Sequence, residues 1–352
     1  MDASEESLSM RRTDSDSSRL RSRRVRAYAI TGATLIAILL AGIRWWMSAQ
    51  PMDDGVLAFR PPTASEREAA IGDTRELSPE LQRAFRPSDD FPPIAKPGPR
   101  DWLTHHFEGG QSFAEFVRSE PNRLDERRVI YLQPIGEFVS DNAPSLDKLR
   151  DFTEAYFTLE TKLMPTLTLA PDQVTTRVRE GTERPQWLAS DLLTILEPQL
   201  PPDAYCLVGV TLTDLFSSST PNFVFGQASI RNRTGVFSFA RFDPAFYDEP
   251  RRADVQQLIL RRSCHTLAHE ICHIFGMHHC IYFSCPVNGS NHLAENDSRP
   301  MHLCPVCLRK LHFVVGFDPA ARDRDLLAIY QRFGFANEAE WTQRRLGQTS
   351  NP

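Results

Sequence analysis

No internal repeat runs through this 352-residue sequence, which leaves out solenoids, propellers and other arrays. Charge of one sign is not in excess either. Forty basic residues face 45 acidic ones, a formal net charge of -5, so the overall balance calls for no nucleic-acid partner. Seven cysteines are too few for a disulfide scaffold. With 41% hydrophobic and 24% charged residues, the chain is neither disordered throughout nor collagen-like, and can bury one sizeable core or two small ones. What is scarce is unevenly placed: six of the seven cysteines and eight of the ten histidines fall between Cys264 and His312.

One long uncharged run, Ala27 to Ile43, follows seven arginines between Arg11 and Arg26. With Arg44, Trp45, Trp46 and Met47 it would span about 31 Å as a helix, so the sequence predicts a transmembrane anchor over 27–47, with a buried core helix as the alternative. The positive-inside rule then puts the basic tail, 1–26, in the cytosol and makes the chain a single-pass membrane protein. Nine prolines between Ser48 and Arg100 predict a linker over 48–100. A folded domain is expected over 101–340 and a short tail over 341–352.

Within that domain Val129–Ile135 reads as a short strand, and Leu146–Met164 has helical spacing through Leu149, Phe152, Tyr156 and Leu159. A second helix is expected after Pro185. Tyr205–Thr213 reads as a buried strand, Asn222–Ala228 as another, and Val236–Phe242 as a half-buried one. Val255 to about Phe275 then forms a long helix, and Asp318-Pro319 opens another reaching about Arg332. The expected fold class is α+β: a mixed sheet with helices packed on it, followed by a Cys-rich, loop-dominated C-terminal part.

His269 to His279 spells H-E-x-x-H-x-x-G-x-x-H. On a helix His269 and His273 project from one face and can hold one cation. Gly276 sits where a left-handed turn would end the helix and bring His279 back as third ligand. Three imidazoles leave a fourth position for water, the arrangement of a catalytic zinc, and Glu270 is placed as general base. His265 shares the same face one turn earlier and reads as packing or a supporting residue. His278 reads as pointing away.

Cys280, Cys285, Cys304 and Cys307 give C-x4-C, eighteen intervening residues, then C-x2-C. Four thiolates match a closed structural zinc site that would staple the C-terminal part, with two disulfides as the competing reading. Cys206, Cys264 and Cys272 read as small core residues.

His269 to His279 followed directly by Cys280, with Cys285 and the Cys304-Cys307 pair, resembles the archaemetzincin family of zinc metallopeptidases. VIYLQPIG (Val129 to Gly136), NFVFGQAS (Asn222 to Ser229), VFSFAR (Val236 to Arg241), GSNHL (Gly289 to Leu293) and LCPVCLRKL (Leu303 to Leu311) extend the resemblance over roughly 100–335. It implies a metzincin-like zincin domain, with His269, His273 and His279 on a catalytic zinc, Glu270 as general base, and the four cysteines on a second zinc. It also implies a cleft-edge strand, Asn222, Phe223, Val224, Phe225 and Gly226, that pairs with an extended peptide or protein substrate. Two features depart from the family: Val287 stands where a methionine usually forms the turn beneath the zinc, and usual members lack a membrane segment. The expected activity is peptide-bond hydrolysis by a zinc-activated water. The alternative is a weakly active or inactive peptide-binding, zinc-stabilised interaction protein.

Overall fold

The computed structural model describes residues 59–138, 143–179, 183–218 and 223–350. Their centre is a five-stranded sheet in the order β2-β1-β5-β9-β8, built from β1 (Val129–Ile135), β2 (Thr161–Leu163), β5 (Ala204–Thr211), β8 (Gly226–Ser229) and β9 (Thr234–Ser238). β1 runs parallel to β2 and β5, and β5 parallel to β9; only β8 is antiparallel. Every residue of β5 is buried, as a strand covered on both faces requires. Cys206, Val208 and Val210 face the larger core with the helices Leu146–Phe157 and Val255–Ile274, while Leu207 faces a smaller core with Ala189–Leu196. A second sheet, ordered β3-β4-β6-β7, joins β3 (Thr176–Val178), β4 (Pro185–Leu188), β6 (Asp214–Phe216) and β7 (Phe223–Val224).

The edge strand β8 can approach β9 because residue 226 is glycine. A Cβ there would lie 2.2 Å from Phe237 Cδ1 and 2.8 Å from the Val236 carbonyl oxygen, closer than any side chain tolerates. β8 is paired on one side only, and its free edge borders a cleft of about 810 Å³.

Several expectations are corrected. Helical crossovers joining parallel strands make the architecture α/β rather than α+β. Among the described residues no helix is long and apolar enough to cross a membrane, so the transmembrane helix and the single-pass membrane localisation are not supported. The segment 27–47 that carried that expectation lies outside the described residues, as do the tail 1–26 and residues 48–58. From residue 59 onward the proline-rich stretch is folded. Thr63 and Glu66 form a capping box that opens the helix Ala64–Ile71, and Ser78 caps Pro79–Ala84, whose proline occupies the first turn, where it costs no hydrogen bond. Ala70, Ile71, Phe85, Phe91 and Ile94 join the main core beside the C-terminal helices Pro305–Val315, Pro319–Phe333 and Ala336–Ser350.

Candidate active site

The helix Val255–Ile274 carries His269 and His273 on one face, with their Nε2 atoms 3.0 Å apart. It stops at Gly276, φ +87°, where the Gly276 amide donates to His273 O (2.8 Å) and the Met277 amide to Cys272 O (3.1 Å). This pair of bonds is the Schellman closure, and the left-handed φ is what only glycine adopts at little cost. The chain then reverses and returns His279, whose ring centroid lies 4.9 Å from that of His273 and 5.3 Å from that of His269. One ring nitrogen from each of the three falls within 4.8 Å of the others.

The far side of each ring is occupied. His269 Nδ1 lies 2.8 Å from Pro286 O, His273 Nδ1 2.6 Å from Met277 O, and His279 Nδ1 2.6 Å from Glu108 Oε1. Carbonyl and carboxylate oxygens only accept, so each Nδ1 carries the proton and each Nε2 presents a lone pair. Burial, then the neighbouring histidines, pushes His269 well below its ordinary value, and burial with His279 brings His273 down to about 4. Neutral rings with two lone pairs facing at 3.0 Å repel unless a cation lies among them, so the donor set fits a divalent metal of zinc's preferences.

Glu270 lines the same cleft beside His269, and burial pushes its carboxyl up to about 8. The cleft is also lined by the chain from Phe223 to Ala228, including Phe223, Val224, Phe225 and Gly226 of the expected substrate strand. Asn222 lies outside the described residues. The strand expected over Asn222–Ala228 is broken at Phe225, because β7 belongs to the second sheet and β8 to the first. His278 is exposed and His265 fully buried.

The four sulfurs of Cys280, Cys285, Cys304 and Cys307 also gather within 4.8 Å of one another, all buried and all free. Cys280 Sγ and Cys304 Sγ stand 3.6 Å apart, far beyond a disulfide bond length, so the paired-disulfide reading is not realised. Against its burial, hydrogen bonds from Cys285, Cys304 and Cys307 hold Cys280 well below the usual thiol range, while burial raises Cys304 well above it. Val287 is fully buried in the turn beneath His269, and its carbonyl accepts from the Cys280 amide at 2.9 Å. The side chain of Asn288 donates to Cys280 O and Phe283 O and accepts from the Cys285 amide.

A third cluster, Asp101, His292 and Glu295, is already saturated: His292 Nε2 donates to Asp101, His292 Nδ1 caps the Glu295 amide, and Glu295 receives Trp102 N, Asn291 N and Arg299. Sequence reading missed Glu108, Trp102 and Gln111. They come from the stretch before β1, and no local pattern ties them to histidines some 170 residues away.

Residues 205–313, which contain the histidine helix, its glycine turn and the strand at the cleft edge, match peptidase family M54. The chain is thus a zinc metallopeptidase, a hydrolase. Archaemetzincin-2 of Macaca fascicularis is 36% identical over 310 residues, covering 80% of this chain and 85% of that one. Archaemetzincin-2 of Homo sapiens matches with the same identity and coverage. A crystal structure of archaemetzincin from Methanopyrus kandleri aligns with 55% of this chain and 97% of that one, at 26% identity and a TM-score of 0.43. The chain belongs to the archaemetzincin family.

Proposed function

We propose that this chain hydrolyses peptide bonds with Glu270 as general base, that His269, His273 and His279 hold the catalytic zinc, and that Cys280, Cys285, Cys304 and Cys307 hold a second, structural zinc. The observation that carries the reading is the orientation of the three imidazoles, each Nδ1 spent on an acceptor and each Nε2 left to converge. A zinc ion bound there supplies Lewis-acid polarisation of the scissile carbonyl and lowers the pKa of water towards neutrality. Glu270, with its proton affinity raised by burial, takes the proton of the attacking water on its carboxylate and returns it to the leaving amine nitrogen. The free edge of β8 and the adjoining Phe223–Phe225 offer backbone groups to an extended peptide substrate, which would add as a further strand.

Metal counting and peptidase assays test these roles together. Wild type should carry two zincs per chain, a His269→Ala/His273→Ala double variant one, and a Glu270→Ala variant two, with peptide cleavage reduced by roughly 10² to 10⁴-fold. A single zinc untouched by the double variant would remove the histidine site. Full cleavage by Glu270→Ala would remove Glu270 as general base, whereas a zinc-loaded wild type that cleaves no peptide would leave the interaction-protein reading for this cleft.

A further inference from the structure

The sequence around His279 supplies two of the three ring orientations locally: Met277 O and Pro286 O, both within 17 residues of the rings they serve, hold His273 and His269. His279 alone receives a carboxylate, and that carboxylate comes from 171 residues away. We infer that Glu108 is a positioning residue for the catalytic metal, fixing the tautomer and tilt of His279 and strengthening it as a donor. The inference rests on the reading of His279 as a zinc ligand.

The oxygen Glu108 Oε1 accepts from His279 Nδ1 at 2.6 Å and from the Trp102 indole Nε1 at 2.8 Å. Trp102 in turn stands edge-on to the His279 ring, with centroids 5.2 Å apart and planes at 82°, and its backbone amide is held by Glu295 at 3.1 Å. The ring of His279 is therefore gripped on its edge and against its side. Gln111 grips the backbone on either side of the turn: its Nε2 donates to Gly276 O at 3.3 Å, and its Oε1 accepts from the His278 amide at 3.2 Å and from Lys310 Nζ at 3.0 Å. Three residues of one short segment, Trp102, Glu108 and Gln111, thus bracket the chain from Gly276 to His279.

A merely structural clasp would not need a carboxylate. Glu108 Oε2 is buried without a protein partner, so half of an anionic group sits where water is excluded. Burying an unpaired charge is costly unless an opposite charge lies close by. A divalent cation on the other side of the His279 ring supplies that charge through the imidazole, whereas a neutral histidine alone does not. Carboxylate partners of this kind raise the basicity of a ligating imidazole, and their loss typically costs 10- to 100-fold in metal affinity.

The test uses the full chain with Glu108→Ala, Glu108→Gln and Trp102→Phe variants, and His269→Ala as control. Zinc affinity at the histidine site is read by chelator competition, and the ligand field by the absorption of Co2+ substituted at that site. Glu108→Ala should weaken zinc about 10- to 100-fold and shift the cobalt bands. Glu108→Gln, which keeps an acceptor but loses the charge, should fall between Ala and wild type. Zinc at the cysteine cluster should stay. Affinity within twofold of wild type and an unaltered cobalt spectrum in Glu108→Ala overturn the inference. If Glu108→Ala does not fold, an unshifted cobalt spectrum in both Glu108→Gln and Trp102→Phe overturns it instead. A His269→Ala chain that still binds two metals ends the metal-site reading and this inference with it. One that loses a metal while Glu108→Ala keeps full affinity ends this inference alone.

Discussion

His265 shows how a single residue's surroundings set a measurable pH response. It is fully buried one turn before His269, and burial, followed by the charges of Arg261 and Arg299, pushes its ring down to about 3. The unfolded chain protonates it near its ordinary value of about 6.5. Between those two values the unfolded state holds the extra proton, so stability falls as pH falls, by about 2 kcal/mol from pH 7 to pH 5. Above about pH 6.5 this contribution is constant. Urea titrations of His265→Leu should show a shallower loss over that interval than wild type, and equal slopes would refute the assignment. The reading of His265 as a packed residue beside the site was available from its helical spacing, because it follows from the 3.6-residue period alone. Val287 was legible as a departure but not in its consequence. The floor of the site is held by backbone, through Pro286 O to His269 and Val287 O to Cys280 N, so the missing methionine leaves those bonds in place. Asn288 heads a formal glycosylation tripeptide, yet its side chain is buried with three hydrogen bonds and is closed to modification in this fold.

At the scale of elements, legibility followed how local the determining physics is. The helix Val255–Ile274 has its stop written in Gly276, and Asp318 with Pro319 announces Pro319–Phe333, because caps and proline act on their own neighbours. Leu146–Met164 read as one helix ends instead at Phe157. Thr158 takes the left-handed conformation, and the chain re-enters as β2, paired with β1, a partner that periodicity does not reveal. The break at Phe225 has the same origin, since two different sheets claim its two sides. A direct consequence concerns the glycine turn. Gly276→Ala forces a Cβ into φ +87° and should cost about 1–2 kcal/mol, read as a lowered melting temperature. Because the turn carries His279, the same variant should also bind zinc more weakly. Unchanged melting would mean that the turn has relaxed to another closure.

For the whole molecule, the largest surprise is the proline-rich stretch. Composition described it as a linker because prolines interrupt periodicity, but proline in a first helical turn is compatible with a fold, and burial there is set by distant partners. Phe85 is 1% exposed and packs edge-on to His312 at 5.5 Å. Phe85→Ala should therefore cost about 3–5 kcal/mol of stability, measured by urea unfolding, where a linker residue would cost almost nothing. The opposite end of the chain was easier, since the cysteine spacing alone gathers four thiols that the fold does bring together.

The separation of Glu108 from His279 also bears on the order in which the molecule comes together. His269, His273 and His279 lie on one helix and its turn, so they meet without closing any long loop. Glu108 must cross 171 residues of chain to reach them, and the entropy of that closure is met only once the sheet and the C-terminal helices have formed. Contact order therefore predicts that the histidines come together early and locally and that the clasp on the third of them forms late, so Glu108→Ala should speed unfolding and leave the folding rate nearly unchanged in stopped-flow measurements.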